Sequence, residues 1–170
     1  MLFTGKGDGG TTKTLATPER IPKNHSIIEA LGAVDELNAW TGYCRAKTKS
    51  EILLTVQENL FCIQGKLAGA EIAFGEEKIK ELEMVVNRLE AEMPPITSFL
   101  IPGESEIGAL FDIVRTIARR AERTVIAARA EQAIDDIVIA YLNRLSSVFY
   151  AFARFSAHAE DKKENAPSYR

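Results

Sequence analysis

The chain has 170 residues, of which 46% are hydrophobic and 26% are charged, and its formal net charge is -3. This size and composition predict one domain over residues 1–170, and the negative balance argues against nucleic acid or a membrane as the main partner. No apolar run approaches the roughly 18 residues of a membrane span, no signal-peptide core is visible, and the two cysteines match no metal or redox motif. We therefore expect a protein of the reducing cytoplasm.

The first fourteen residues, MLFTGKGDGGTTKT, are rich in glycine, threonine and lysine. Gly5, Gly7 and Gly10 satisfy G-x-G-x-x-G, but only four residues precede them, so there is no room for the strand of a dinucleotide-binding unit. A Walker loop is excluded because Thr11 occupies the position of its lysine. Two interpretations stay open: a frayed polar terminus, or a loop whose backbone amides and lysines bind an anion.

Helix signals fill the chain beyond the glycine-rich segment, and no convincing strand is found. Ser26 and Glu29 have the S-x-x-E spacing of a capping box and predict a first helix that extends to about Lys47. A second helix is predicted from the N-cap candidate Ser50 as far as Gly75.

Three further apolar repeats predict the remaining helices. One spans residues 79–93 and must end at Pro94 and Pro95, and the others span residues 107–125 and 138–156. The polar segment 160–170 is expected to fray as a flexible tail. The predicted fold class is all-α: a five-helix antiparallel bundle of the four-helix type, preceded by the N-terminal glycine-rich loop.

Polar side chains beside the apolar stripes are the candidates for a site. Arg115, Arg119 and Glu122 lie at i, i+4 and i+7 and therefore share one helix face. Arg120 and Arg123 flank that face. Such a cluster is either a solvated surface, with Glu122 bridging arginines, or a site for a polyanion such as a nucleotide triphosphate.

Two other polar residues lie close to apolar stripes. Asp35 is expected near the buried side of the first helix, where a carboxylate needs a partner, and an arginine of the fourth helix is the candidate. Asn143 flanks the stripe of the last helix, where it either makes a structural hydrogen bond or contacts a nucleotide. The residues alone leave both interpretations of Asn143 open.

Five segments in this order resemble the corrinoid adenosyltransferases of the ATP:cob(I)alamin type found in propanediol-utilisation operons and in mitochondria. They are FTGKGDGGTT, RIPKNHSIIEALGAVDELNAW, FLIPGES, RTIARRAER and LNRLSSVF, and the similarity runs from Thr4 to about Ala157. The resemblance implies transfer of the 5′-deoxyadenosyl group of ATP to the cobalt of cob(I)alamin, which forms adenosylcobalamin and releases triphosphate. It also implies a homotrimer with ATP and its Mg²⁺ bound between subunits and the corrinoid nearby.

The resemblance further implies roles for individual residues. Segment 1–25 would be the nucleotide-binding loop, and the ATP contacts implied are Thr4, Gly5, Lys6, Gly7, Asp8, Thr12, Lys13, Lys23, Arg119, Arg120, Glu122, Arg123 and Asn143. The catalytic candidates are Arg119, which would stabilise the departing triphosphate, and Phe99, which would bind the corrinoid by packing against its lower face. Asp35 and Arg115 would form an ion pair across the subunit interface. No side-chain cluster is expected to bind a metal ion by itself.

The sequence departs from the family pattern at several positions. The family loop usually reads T-R-T-G-D-K-G, so Gly5, Lys6 and Gly9 alter its side chains, while Ser147 replaces a usual aspartate and Phe3 a common tyrosine. Two other classes stay open: a sensor or chaperone that binds ATP or adenosylcobalamin without turnover, and a structural bundle that binds neither. A corrinoid reductase and an adenosylcobalamin-dependent enzyme are the protein partners that the resemblance implies.

Overall fold

The computed structural model describes residues 2–169, and most of them are helical. The helices within that range are α1 (Ser26–Thr48), α2 (Glu51–Leu67), α3 (Glu77–Ala91), α4 (Glu106–Ala128) and α5 (Asp136–Ala159). Two short strands, β1 (Thr11–Thr12) and β2 (Ile21–Pro22), pair antiparallel. The predicted helical bundle is confirmed. The hairpin was missed because two residues are too few to show the alternation of a strand.

The helices pack in the spatial order α2, α1, α4, α5, α3, so α1, α4 and α5 form the centre of the bundle. Their apolar stripes meet in one continuous core. Leu60 on α2, Val114 on α4 and Leu145 on α5 are fully buried within it. Because α4 is covered by α1 on one side and by α5 on the other, only a narrow strip of its surface can carry exposed polar side chains.

The start of α1 differs from the prediction. The N-cap is His25, whose Nδ1 accepts a hydrogen bond from the backbone N–H of Ile27 at 3.4 Å, and Ser26 is the first helical residue. The Ser26 hydroxyl donates to Glu131 in the turn after α4 at 2.6 Å, and His25 Nε2 lies 3.2 Å from the same carboxylate. The predicted capping box of Ser26 and Glu29 is wrong because this distant carboxylate engages the serine instead.

The second helix ends at Leu67, eight residues before the predicted end at Gly75. Gly69 has a φ of +100°, and the backbone N–H of Ala16 donates to the Ala68 carbonyl at 2.8 Å. A Cβ added at Gly69 would lie 2.5 Å from the Cβ of Ala16. The N-terminal segment therefore packs against the end of α2 and leaves no room for a further helical turn there. The apolar stripe that suggested a longer helix continues in residues that lie outside α2.

The C-terminal segment, defined as residues 160–169, folds back on the bundle without regular secondary structure. The backbone N–H of Ile101 donates to the Asn165 carbonyl at 2.8 Å, and the Asn165 side chain donates to Glu104 at 2.8 Å. Glu164 is ion-paired with Arg154 of α5. The polar sequence predicts a frayed tail here, yet these polar contacts tie the segment to the loop before α4.

Residue 170 and residue 1, the first residue of the predicted nucleotide-binding segment 1–25, lie outside the described range.

Within residues 2–169, no helix combines the length and the apolar character needed to cross a membrane.

Leu60→Ala should lower the free energy of unfolding by about 2–5 kcal/mol, because it opens a cavity at a fully buried position of α2. Glu58→Ala, on the exposed face of the same helix, should change it by no more than about 0.5 kcal/mol. Denaturant unfolding at matched protein concentration measures both values. Equal effects of the two variants would contradict the placement of α2 in the core.

Candidate functional site

The glycine-rich segment is a folded loop of successive turns. The backbone N–H of Asp8 donates to the Gly5 carbonyl at 3.2 Å, and that of Gly10 donates to the Gly7 carbonyl at 3.1 Å. The backbone N–H of Lys23, just after β2, donates to the Gly10 carbonyl at 2.9 Å. Gly5 has a φ of +69° and Gly10 a φ of +76°, a region that side-chain-bearing residues rarely adopt. These contacts favour a folded loop over a frayed terminus.

The Lys23 side chain lies against the glycine loop, defined as residues 4–13. A Cβ added at Gly7 would be 3.2 Å from Lys23 Nζ and 3.3 Å from its Cε, so any larger residue would push the end of the Lys23 side chain aside. Lys6 and Lys13 are exposed on the same loop. Among the described residues, none of these three lysines has a carboxylate within ion-pairing distance. The loop therefore presents uncompensated positive charge to solvent.

A shallow groove separates the end of this loop from α1 and α2. Thr12 and Lys13 line it on one side, and Asp35 of α1 and Gln64 of α2 line it on the other. Asp35 is exposed, and its Oδ1 accepts a hydrogen bond from Gln64 Nε2 at 3.1 Å. The expectation that Asp35 lies near the buried side of α1 is therefore wrong. Its apolar neighbours in sequence point to the core, whereas Asp35 itself faces the groove.

The arginine cluster of α4 is exposed and reaches both neighbouring helices. Arg120 of α4 is ion-paired with Glu36 of α1. The sequence predicts an arginine of α4 as the partner of Asp35, but within one chain Arg120 binds the carboxylate of the next residue. Glu122 does not bridge the arginines, because its Oε1 accepts a hydrogen bond from Asn143 Nδ2 of α5 at 2.9 Å. Glu122 and Asn143 lie on separate helices, and the resemblance implies that both contact ATP. The structure brings these two side chains into direct contact.

An open cleft of about 850 Å³ lies between the end of α3, the loop before α4, the helices α4 and α5, and the C-terminal segment. Phe99, which is 80% exposed, lines it from the loop before α4, and Arg119 lines it from α4. The lining also contains Val86, Met93, Leu100, Arg115, Ser146, Ser147, Tyr150 and Tyr169. The fold therefore places the two catalytic candidates in one cleft, although twenty positions separate them in the sequence.

Beneath the cleft lies a buried chain of charges that the sequence analysis missed. Asp112 is 4% exposed and Arg154 is 3% exposed, and they form an ion pair between α4 and α5. Arg115 Nε donates to the other Asp112 oxygen at 2.9 Å, and Glu164 of the C-terminal segment pairs with Arg154. Burial raises the pKa of the Glu164 carboxyl, and the Arg154 guanidinium opposes that rise.

Two sequence signals could have revealed this chain. Asp112 and Arg115 have the i, i+3 spacing of a helical ion pair, and Arg154 is a lone charge within the apolar run YAFARF. Tyr150 lies between the two arginines, with its ring centroid 5.8 Å from Arg115 and 5.1 Å from Arg154. A charge on an apolar stripe indicates a buried partner but not which residue supplies it.

The described residues of one chain do not bring every candidate together. Within that part of the chain, no hydrogen bond or ion pair joins the glycine loop to Arg119, Arg123 or Asn143. Asp35 and Arg115 do not pair with each other within the chain, and no cluster of three histidine, cysteine or acidic side chains suits a metal ion in residues 2–169. The loop and the arginine cluster are therefore separate surfaces of one chain.

A helical bundle with a lysine-bearing glycine loop, an arginine-rich helix and an open cleft defines a protein suited to a polyanionic ligand and a larger second ligand. The sequence model of the family described as Cobalamin adenosyltransferase matches residues 2–156, and the chain belongs to this family.

The curated relatives that match this chain are named corrinoid or cobalamin adenosyltransferases. The chain is 34% identical over 168 residues to the corrinoid adenosyltransferase PduO of Citrobacter freundii, a match that covers 92% of this chain and 50% of that protein. It is 36% identical over 165 residues to a corrinoid adenosyltransferase of Bacillus subtilis, covering 90% and 84% of the two chains. The chain spans about half the length of the first curated relatives that it matches.

Solved structures with the same fold have been obtained with ligands bound. A phenylalanine-to-histidine variant of the PduO-type ATP:corrinoid adenosyltransferase from Lactobacillus reuteri, complexed with cobalamin and ATP, matches with a TM-score of 0.93 and 28% identity over 99% of this chain and 97% of that chain. An arginine-to-lysine variant from the same organism, complexed with ATP, matches with a TM-score of 0.90 and 28% identity, covering 98% of this chain and 99% of that one.

Asp112→Ala should destabilise the protein by about 3 kcal/mol, because it removes one of the two carboxylates that compensate the buried Arg154 guanidinium. The double variant Asp112→Ala/Arg154→Met should recover part of that loss, since it removes the buried guanidinium; the recovery is incomplete because Glu164, whose side chain is 18% exposed, then loses its partner. Denaturant unfolding of the wild type and both variants measures the difference. A double variant less stable than Asp112→Ala would contradict the buried ion pair.

Proposed function

We propose that this protein is an ATP:cob(I)alamin adenosyltransferase, which transfers the 5′-deoxyadenosyl group of ATP to the cobalt of cob(I)alamin. The observation that carries the proposal is that Phe99 and Arg119 line one cleft. An aromatic ring there suits the apolar face of a corrin, and a guanidinium suits a triphosphate. Family membership and the relatives that bind cobalamin and ATP support the same conclusion.

For the nucleotide, we propose two binding surfaces. The glycine loop supplies backbone amides together with Thr4, Lys6, Asp8, Thr12 and Lys13, and Lys23 lies beside them at Gly7. The arginine cluster supplies Arg119, Arg120 and Arg123, with Glu122 and Asn143 already hydrogen-bonded to each other. Lysine and arginine donors offset the triphosphate charge, and Mg²⁺ would enter with ATP as part of the substrate. Exposed Asp8 is a carboxylate of the type that Mg²⁺ accepts.

We further propose that the complete nucleotide site forms between subunits of a homotrimer. Among residues 2–169, no hydrogen bond or ion pair joins the glycine loop to the arginine cluster, and in the proposed trimer one ATP uses both because a second copy supplies one of them. Arg115 supports this arrangement, because its Nε is engaged by Asp112 while a guanidinium carries further N–H donors. Those donors would pair with Asp35 of a neighbouring subunit, a residue that is exposed in the single chain.

The proposed reaction needs positioning and electrostatics, and it needs no general base. Co(I) supplies the electron pair that forms the Co–C5′ bond, the C5′–O bond of ATP breaks, and its electrons leave with triphosphate. Arg119 stabilises the charge that develops on the leaving group. Phe99 excludes a ligand from the lower face of the corrin, and the cleft aligns cobalt with the 5′ carbon. Ser147, where aspartate is usual, leaves a hydroxyl on the cleft wall.

We place the protein in the reducing cytoplasm, where a reductase would supply Co(I) and an adenosylcobalamin-dependent enzyme would receive the product. The two cysteines support this placement. Both are free thiols, and burial raises the pKa of Cys44 to about 11, so that thiol stays protonated and unreactive at neutral pH.

Under anaerobic conditions with MgATP, the protein should convert the absorption spectrum of cob(I)alamin into that of an alkylcobalamin. Arg119→Ala should slow this conversion by about 100-fold or more, since it removes the cation that faces the leaving group. Arg129→Ala is the matched control, because Arg129 is the C-cap residue that follows α4 and pairs with Asp136 away from the cleft. It should leave the rate unchanged.

An unchanged Co(I) spectrum with the wild-type protein would overturn the transferase proposal. If cobalamin and ATP still bound under those conditions, the protein would be a sensor or chaperone. If neither bound, it would be a structural bundle.

Gly7→Ala should weaken ATP binding by about tenfold, because the new methyl group displaces the Lys23 ammonium and costs roughly one charge-assisted hydrogen bond of ~1.5 kcal/mol. Gly9→Ala is a matched control in the same loop: a Cβ there meets no atom within 4 Å. Calorimetric titration with MgATP measures both affinities. Equal weakening by the two substitutions would contradict a role for the Gly7–Lys23 contact.

A further inference from the structure

The loop that carries Phe99 is held mainly by the C-terminal segment. Between residues 94 and 104, the only backbone–backbone hydrogen bond in the described chain is the one from the Ile101 N–H to the Asn165 carbonyl, at 2.8 Å. The Asn165 side chain adds a second contact by donating to Glu104 at 2.8 Å. Because this loop has no regular secondary structure, its path depends on a segment sixty residues further along the chain. Phe99 is 80% exposed and is not fixed by packing of its own.

The C-terminal segment in turn depends on one buried guanidinium. Glu164, next to Asn165, is paired with Arg154, which is 3% exposed and also paired with Asp112. Arg154 therefore lies between two carboxylates, one on α4 and one on the C-terminal segment. A buried charge-assisted pair has a defined geometry, which a solvated surface pair lacks.

The same chain of ion pairs continues to Arg115 of α4, which also lines the cleft. Asp112 accepts from Arg154 with one oxygen and from Arg115 Nε with the other, at 2.9 Å. Arg115 lines the cleft one helical turn before Arg119. A continuous path of ion pairs thus runs from Glu164, beside the Phe99 loop, through the floor of the cleft to the arginine side of α4.

We propose that Glu164 and Arg154 are positioning residues of the cleft: through Asn165 they hold the Phe99 loop, and through Asp112 they fix the orientation of Arg115. This inference rests on the proposed function, because it assigns the two residues to the corrinoid side of that reaction. Neither residue needs to touch a substrate. Their effect is to keep Phe99 at a constant separation from the arginines of α4 that line the same cleft, as alignment of two large ligands requires.

Glu164→Ala should raise the KM for cob(I)alamin by about tenfold and change the KM for ATP by less than about twofold, since the displaced loop carries Phe99 and not the nucleotide contacts. Glu164→Gln should restore part of the loss, because its amide oxygen can still accept from Arg154. Lys163→Ala is the control, being an exposed neighbour on the same segment, and it should match the wild type.

Amide hydrogen exchange on the ligand-free proteins tests the anchor without the reaction. The Ile101 N–H should exchange slowly in the wild type and in Lys163→Ala, and faster in Glu164→Ala. Equal exchange of Ile101 in all three proteins would overturn the proposal, and so would equal rises in the two KM values, which indicate a general loss of structure. If the wild type transferred no adenosyl group, the proposed function would fail, and the exchange of Ile101 would still decide whether Glu164 anchors the loop.

Discussion

The burial of α4 between α1 and α5 is the constraint on which the rest of the structure depends. Val114, Ala118, Ala121 and Val125 form the apolar side of that helix and are fully buried. Arg115 and Arg119 each follow one of these buried residues directly, and Arg120 precedes another, so the packing of α4 directs these arginines away from the core. The core of the bundle and the display of the arginine cluster are consequently one feature. Loss of packing along α4 would disperse the cations as well as destabilise the fold.

The ion pairs that α4 makes with its neighbouring helices are of two kinds, exposed and buried. At the surface, Arg120 pairs with Glu36 where both side chains are about half exposed, so the pair is weak and an incoming anion can displace it. In the interior, Arg154 and Asp112 are almost wholly excluded from water and cannot exchange partners cheaply. The surface pairs are therefore suited to ligand binding, and the interior pair is suited to holding elements in place.

The single chain presents two separate polar surfaces, the glycine loop and the arginine cluster. The glycine loop is shaped by its own turns and by Lys23, while the arginine cluster is shaped by α4 and α5. The departures at Gly5 and Lys6 change side chains on a loop whose φ values and backbone hydrogen bonds remain those of a compact turn. Backbone amides can thus face a ligand whatever side chains these positions carry.

The sequence by itself determined the helical class, the N-cap of α2 at Ser50, the end of α3 shortly before Pro94, and the clustering of cationic side chains of a type suited to an anion. Seven-residue apolar repeats and clustered arginines are local patterns, so they can be identified without the fold. The spacing of the arginines made Arg119 a candidate for an anion site, whereas Phe99 became a candidate only through the family resemblance.

Tertiary structure decided the features that depend on distant partners. Ser26 contacts Glu131 rather than capping α1, and α2 stops where Ala16 packs against Gly69. The charge chain from Asp112 to Glu164 joins residues that lie more than fifty positions apart. Helical periodicity reports which face of an element is buried, but not which side chain of another element meets it. For that physical reason, the cleft and the ion pairs of Arg154 with Asp112 and Glu164 could be found only in the folded chain.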